Sequence, residues 1–355
     1  MTVSIDLNNV DELRRFDTTG ILAAIDSLPS QCAAAGELVA KVNLPEYTDI
    51  SNIVITGLGG SAIGGDMLRA YTSGVIEVPI VVNRGYDMPN FVNSKSLVFA
   101  VSYSGNTEET LSAYDQAHRR GAAVIGVTSG GRLKELVLED GYPLLEVPGG
   151  MFPRAANGYL FMPCLTILQK IGLLPDLSGE AAEMIYLLKD MCWKLGPERA
   201  EAENPAKQLA RKLYGKIPVI WGATGTTEVV AQRWKAQINE NAKSPCYWNV
   251  FPELNHNEIV GLEVPAEFVK KIHIIVLQDG ADHAQVQKRM AITKEVFQDK
   301  VDGFTEIKAH GNGLLARIYN LICTGDFTSA YLAALYGVDP GPIKVIDYLK
   351  EALQK

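Results

Sequence analysis

Residues 97–119 read LVFAVSYSGNTEETLSAYDQAHR. The apolar run Leu97–Val101 shows no alternation; it passes into a hydroxyl-rich turn around Gly105 and then into a segment with helical spacing. A short unbroken apolar run bounded by turn residues predicts a strand buried on both faces, and repeated strand-then-helix units predict a parallel sheet covered by helices. The same order surrounds this stretch, with apolar runs at Ile53–Ile55, Val78–Val82 and Ala123–Val127. It returns from Ile217. Pro218–Trp221 ends in Gly222-Ala223-Thr224-Gly225 before a helix around Val229–Ile238, and Cys246–Phe251 follows. Ile272–Leu277 then precedes a helix over His283–Phe297, and Thr305–Ala309 completes the set. The opening stretch to Lys41 predicts helix through Leu13, Phe16, Ile21, Ile25 and Leu28, broken at Pro29. Leu160–Leu195 predicts helices with a loop near Gly172–Leu177, and the chain from Gly313 predicts two helices separated near Gly337–Pro342. The fold class expected is therefore α/β, with one βαβ unit present twice and helical segments at both ends. The expected domains are residues 1–200 and 201–355.

Composition bounds the function. A chain of 355 residues carries about two domains. The formal charge of −8 argues against a general nucleic-acid or anionic-membrane surface. No apolar run approaches the roughly 20 residues of a membrane span, and the opening MTVSIDLNNVDELRRF lacks the apolar region of a signal peptide. The five cysteines are scattered, with no CxxC pair, so neither a disulfide framework nor a zinc site is expected and the compartment expected is reducing cytoplasm. The five histidines lack HxxxH or HExxH spacing, and no metal is expected.

The two copies of the fold are furnished differently. In open parallel sheets ligands bind at the carboxyl ends of strands. The first copy has Gly57-Leu58-Gly59-Gly60-Ser61-Ala62-Ile63-Gly64-Gly65-Asp66 at one such end and Ser102-Tyr103-Ser104-Gly105-Asn106-Thr107-Glu108-Glu109-Thr110 at another; the second copy offers Thr224 and Asp279. Glycines let the backbone approach a ligand closely, and exposed amides at a helix start favour an anion. Ser102, Ser104 and Thr107 lie within six residues and have hydroxyls to donate to a phosphate. The alternative is a capping box, in which Ser/Thr followed by Glu closes a helix with no ligand. The glycine loop on a neighbouring strand favours phosphate. Gly57-x-Gly59-x-x-Ala62 also satisfies a dinucleotide fingerprint, and Arg84, after the second strand, is a candidate for an NADP phosphate. A nicotinamide site would carry Asp or Glu there and would leave the hydroxyl loop without a role.

Gly59-Gly60-Ser61-Ala62 with the Ser102–Thr110 loop resembles the sugar isomerase (SIS) domain family. Pro153-Arg154-Ala155-Ala156-x-Gly158-Tyr159, Asn239-Glu240-Asn241-Ala242-Lys243 and Pro252-Glu253-Leu254-Asn255-His256-Asn257-Glu258 resemble the bifunctional phosphoglucose/phosphomannose isomerase family, as does the tail from Gly325-Asp326-Phe327 through Asp347-Tyr348-Leu349-Lys350. The match runs in order over most of the chain. The resemblance implies two SIS-type domains, catalysis without metal or other cofactor, and a homodimer with active sites at the subunit interface. It implies that the loop of Gly60 and Ser61, with Ser102, Ser104 and Thr107, holds the phosphate; that Glu240 is the base; that His256, lent by the partner subunit, opens the sugar ring; and that Arg154 steadies the developing charge. A C-terminal lysine also reaches the site, Lys350 matching best, with Lys344 the alternative. In that family tolerance of the mannose epimer goes with a small hydroxyl residue in the tail, and Gly341–Lys355 holds neither Ser nor Thr.

The residue types suit aldose–ketose isomerisation, which needs a ring-opening acid/base, a base to carry a proton between C2 and C1, and positive charge near the enediolate. Histidine titrates near neutrality, and a buried carboxylate can be raised into a useful range. Read alone, each residue has a plainer role: Glu240 as a surface carboxylate roughly opposite the stripe Val230, Trp234 and Ile238, His256 as a hydrogen-bonding residue of a polar turn, Arg154 as a surface arginine. Function classes that differ from the isomerase are a non-catalytic sugar-phosphate sensor and an NADP oxidoreductase.

Overall fold

The structure, a computed structural model, describes residues 5–353. Two compact units are present. The first consists of Ser27–Tyr186 with Gly313–Ala316; the second takes the chain up to Asp26, Leu187–Asn312 and the chain from Arg317.

Short helices α1 (Val10–Phe16), α2 (Ile21–Asp26), α3 (Leu28–Ala33) and α4 (Ala35–Ala40) open the described chain. Pro29 lies in the first turn of α3. A missing N–H costs nothing there, so the expected break is instead the start of a helix. The first sheet is parallel throughout, in the order β2-β1-β3-β4-β5: β1 (Asn52–Thr56), β2 (Ile80–Asn83), β3 (Ser96–Val101), β4 (Ala123–Thr128) and β5 (Leu144–Glu146). Helices α5 (Gly60–Thr72), α6 (Glu108–Arg119) and α7 (Gly131–Glu139) lie between strands, and α8 (Asn157–Lys170) and α9 (Ser178–Leu195) follow. Every residue of β1 and β3 is buried, as their unbroken apolar runs require. One face of this sheet buries Val54, Val98 and Val124 with Tyr114, Ala117, Leu133 and Val137.

The second sheet repeats the plan with four parallel strands in the order β7-β6-β8-β9. It contains α10 (Pro205–Leu213), β6 (Ile217–Ala223), α11 (Thr226–Ala242), β7 (Tyr247–Phe251), α12 (Ala266–Val269), β8 (Ile272–Gln278), α13 (Ala284–Phe297) and β9 (Gly303–Lys308). Helices α14 (Leu314–Tyr336) and α15 (Lys344–Leu353) follow. Residues 5–26 go with this sheet rather than with the first, for a clear physical reason. The Ile5 amide donates to the Ala334 carbonyl, and the fully buried Lys207 ammonium donates to the carbonyls of Leu7, Pro197 and Arg199 at 2.6–2.8 Å. Three carbonyls on one cation offset its desolvation and fix the N-terminal chain in place.

Candidate active site

In the first sheet β2 lies on one side of β1 and β3 on the other, so the chain reverses its winding between β1 and β3. Helices leave opposite faces at such a switch point, and the crevice outside the two carboxyl ends is where ligands bind in open α/β sheets. Gly60 and Ser61 open α5 directly after the turn that follows β1, and the loop of Ser102, Ser104 and Thr107 follows β3. The two loops are joined, because the Tyr103 amide donates to Ser61 Oγ at 3.2 Å. Ser102 Oγ lies 3.0 Å from Thr107 Oγ1 and accepts from the Gly105 amide at 3.1 Å. Ser61 and Ser102 are buried, Thr107 half-buried and Ser104 exposed.

Both helices start without a side-chain cap. Gly59 is the N-cap of α5 at φ +52°, and Thr107 is the N-cap of α6, yet its hydroxyl meets Ser102 rather than its own helix amides. The capping-box alternative therefore fails at Thr107, and the first amides of α6 remain for another acceptor, whereas in α5 the Ser61 and Ala62 amides donate to the Leu58 carbonyl at 3.0 and 3.3 Å. Gly105 sits at φ +71°, where a Cβ would lie 1.8 Å from the Gly130 carbonyl oxygen, so only glycine closes this turn.

Arg154 belongs to the same place. A Cβ on Gly60 would come within 2.7–2.8 Å of Pro153 and the Arg154 amide, so the glycine lets the β1 loop lie directly on the arginine segment. Arg154 is 3% exposed, with its guanidinium 4.5 Å above the Phe152 ring. The surface-arginine alternative is corrected by that burial. Tyr103 is a residue that sequence reasoning does not single out. Its phenol donates to the Pro148 carbonyl at 2.8 Å and accepts from the Met151 amide at 3.0 Å. The available signal is an aromatic residue between two serines of a loop otherwise made of small polar groups. Arg84 is salt-bridged to the buried Asp66, so the cation that would meet an NADP phosphate already serves an internal carboxylate.

Glu240, His256 and Lys350 belong to the second unit, each on a different element. Glu240 is half-buried in the last turn of α11 rather than fully solvated. A carboxylate at a helix C-terminus opposes the helix dipole. Lys243 moderates this, donating to the Glu240 carbonyl at 2.6 Å and to the Pro340 carbonyl at 3.0 Å. Asn241 donates to Ser329 Oγ at 2.9 Å, and Gln237 and Arg233 both bond the buried Asp326, whose carboxyl is pushed up by burial against the pull of Arg233. His256 ends the turn Glu253–His256, and its exposed ring makes no hydrogen bond among the described residues. Its neighbours are occupied: Glu258 accepts from Trp221 Nε1 at 2.7 Å and from Asn249, Asn257 donates to Glu253 at 2.9 Å, and Asn255 donates to Thr293 at 3.0 Å. Lys344 and Lys350 are both exposed on α15.

The second sheet's own switch point is filled from within. Thr224 donates to the Phe251 carbonyl at 3.1 Å, Glu228 accepts from the Gly225 amide at 3.2 Å, and Asp279 pairs with Arg317 at 2.9 Å.

Two parallel sheets, one with hydroxyls and helix starts that lack a side-chain cap at its switch point, define a protein of the SIS class. Residues 46–132 match the SIS domain family, and residues 202–353 match the bacterial phospho-glucose isomerase C-terminal SIS domain. The chain is 47% identical over 331 residues to a bifunctional phosphoglucose/phosphomannose isomerase of Caldicellulosiruptor bescii, covering 93% of this chain and 98% of the relative. It is 37% identical to the enzyme of the same name from Aquifex aeolicus, covering 87% and 92% of the two chains. The fold is similar to that of a glucose-6-phosphate isomerase like protein from Thermus thermophilus, with a TM-score of 0.62 over 96% of this chain and 99% of that one at 21% identity. The chain belongs to the bifunctional phosphoglucose/phosphomannose isomerase family. Among the described residues no helix is long and apolar enough to cross a membrane.

Proposed function

We propose that this chain interconverts glucose 6-phosphate and fructose 6-phosphate through a cis-enediol, with mannose 6-phosphate as a second substrate and without metal or nucleotide. The observation that carries the reading is the pair of uncapped helix starts at the first sheet's switch point, lined by Ser61, Ser102, Ser104 and Thr107. Amides and hydroxyls converging on one crevice are suited to a phosphate dianion. Arg154, permanently charged, stabilises the enediolate, Glu240 carries the proton between C2 and C1, His256 opens the ring, and Lys350 assists at the substrate. The sensor alternative needs the cradle alone, and the NADP alternative lacks its cation. The relatives are named for both activities, which supports mannose 6-phosphate as well as glucose 6-phosphate, against the tail without Ser or Thr that speaks for glucose 6-phosphate alone.

The working state of this reading is a homodimer in which His256 serves the partner's site, in reducing cytoplasm. The unpartnered, exposed ring of His256 and five free buried cysteines support those two points. The test is a coupled assay offering glucose 6-phosphate and mannose 6-phosphate separately after dialysis against EDTA. Turnover of glucose 6-phosphate at the undialysed rate is expected. Activity that returns only with a divalent cation overturns the metal-free mechanism, and turnover of glucose 6-phosphate alone removes the second substrate.

A further inference from the structure

We propose that Tyr103 is a positioning residue that holds the Arg154 loop in register with the phosphate cradle; the proposal rests on the isomerase reading above. Tyr103 touches each part of the site by a different atom. Its amide donates to Ser61 Oγ at 3.2 Å, which fixes the glycine loop. Its carbonyl accepts from the Ser129 amide at 3.0 Å and from Ser129 Oγ at 2.6 Å, which fixes the loop after β4. Its phenol, on a ring only 5% exposed, bonds the Pro148 carbonyl and the Met151 amide.

Those last two groups bracket Gly149-Gly150, with Gly150 at φ +88°, just before the turn Pro153–Ala155 that carries Arg154. Two consecutive glycines give that stretch wide conformational freedom. A buried hydroxyl that accepts from one end and donates to the other is the means by which a floppy connection acquires one geometry. Burial also pushes the phenol above its ordinary pKa, so it keeps its proton, and its bond to Pro148, throughout neutral pH. The serines that hold the phosphate do not depend on the phenol. The charge that meets the enediolate does, because a displacement of about 1 Å in a positioned group can cost on the order of 100-fold in rate.

Tyr103→Phe removes one oxygen and keeps the ring. The expected result is a kcat for glucose 6-phosphate lowered about 10-fold with KM changed less than about 2-fold. Tyr114→Phe is the control, since it removes another buried hydroxyl of the same unit, one that donates to Asp140 at 2.6 Å, and it should leave kcat unchanged. In an Arg154→Ala background, Tyr103→Phe should cause no further loss. Hydrogen exchange gives a readout independent of turnover: the Met151 amide should be protected in the wild type and exposed in Tyr103→Phe. A raised KM at constant kcat, losses that multiply in the double variant, or a Met151 amide unprotected in the wild type each overturns the proposal. A wild-type chain that turns over no hexose phosphate overturns the isomerase reading, whereas an active wild type with an unaltered Tyr103→Phe overturns only the role of Tyr103.

Discussion

Glu240 occupies a position that a helix by itself disfavours, a carboxylate in the last turn, half out of water. That is a poor place for a merely solubilising charge and a suitable one for a base. Glu240→Gln keeps the shape and the helix but accepts no proton. Isomerisation is expected to fall by about 10²–10⁴-fold while substrate binding and ring opening persist. In deuterated water the wild type should place deuterium at C2 of recovered glucose 6-phosphate, and the variant should not. Exchange at the wild-type rate in the variant would move the role to another group. At this scale the sequence is legible in which residues come together: Ser61, Ser102 and Thr107, read as one group, meet through Tyr103 and each other in the structure. It is not legible for burial. Arg154 follows a proline in a loop, and only the close passage of Gly60 reveals that its chain is covered. Asp326, part of a family pattern in the sequence, serves in the structure as the buried partner of Arg233.

Strands announce themselves where they are buried on both faces. The runs around Leu97–Val101 and Ile272–Leu277 correspond to β3 and β8 within a residue at either end. β5 escapes because Leu144–Glu146 is three residues long, too short to show a period. The N-terminal helical stretch is four short helices, a division that the apolar spacing alone does not show. The turn after β8 makes a prediction about acidity. Asp282, whose carboxylate accepts from the Asp279 amide at 3.0 Å, has its pKa pushed up to about 6, mainly by burial, against the pull of that amide; the charge of Asp279 adds to the rise and Arg317 opposes it. An acid raised in the folded state above its unfolded value of about 3.9 stabilises fully below that lower value, and the contribution is lost as pH rises through about 6. Between about pH 5 and 7 the wild type should therefore lose about 1 kcal/mol relative to Asp282→Asn, a figure discounted for partial exposure. Denaturant titrations of both proteins across that range check it, and parallel stability profiles would refute it.

Across the whole chain, the repeat of strand, turn and helix is the most readable feature, because each copy must bury its own sheet from both sides. The homodimer proposed above makes a numerical prediction. Glu240→Gln chains and His256→Ala chains, each inactive, should regain roughly a quarter of wild-type activity when mixed at random, since roughly half of the pairs are mixed and each mixed pair has one of its two sites intact, and up to about a half if every pair is mixed. No recovery, with subunit exchange shown separately, would place both residues in one chain's site. The two copies also differ in how their helices begin: at α11 the N-cap Gly225 amide is answered by Glu228, while α6 starts with no side-chain cap and its first amides open. The open start of α6 leaves stabilisation to be supplied from outside, so substrate acts as a missing piece of the fold. In a melting experiment, inorganic phosphate or fructose 6-phosphate should raise the transition by the equivalent of about 2.7 kcal/mol at a hundredfold excess over Kd. The effect should shrink in Thr107→Ala. The resting enzyme would thus be most vulnerable to heat and proteolysis when its metabolite pool is empty, which ties the survival of the catalyst to the supply of what it converts.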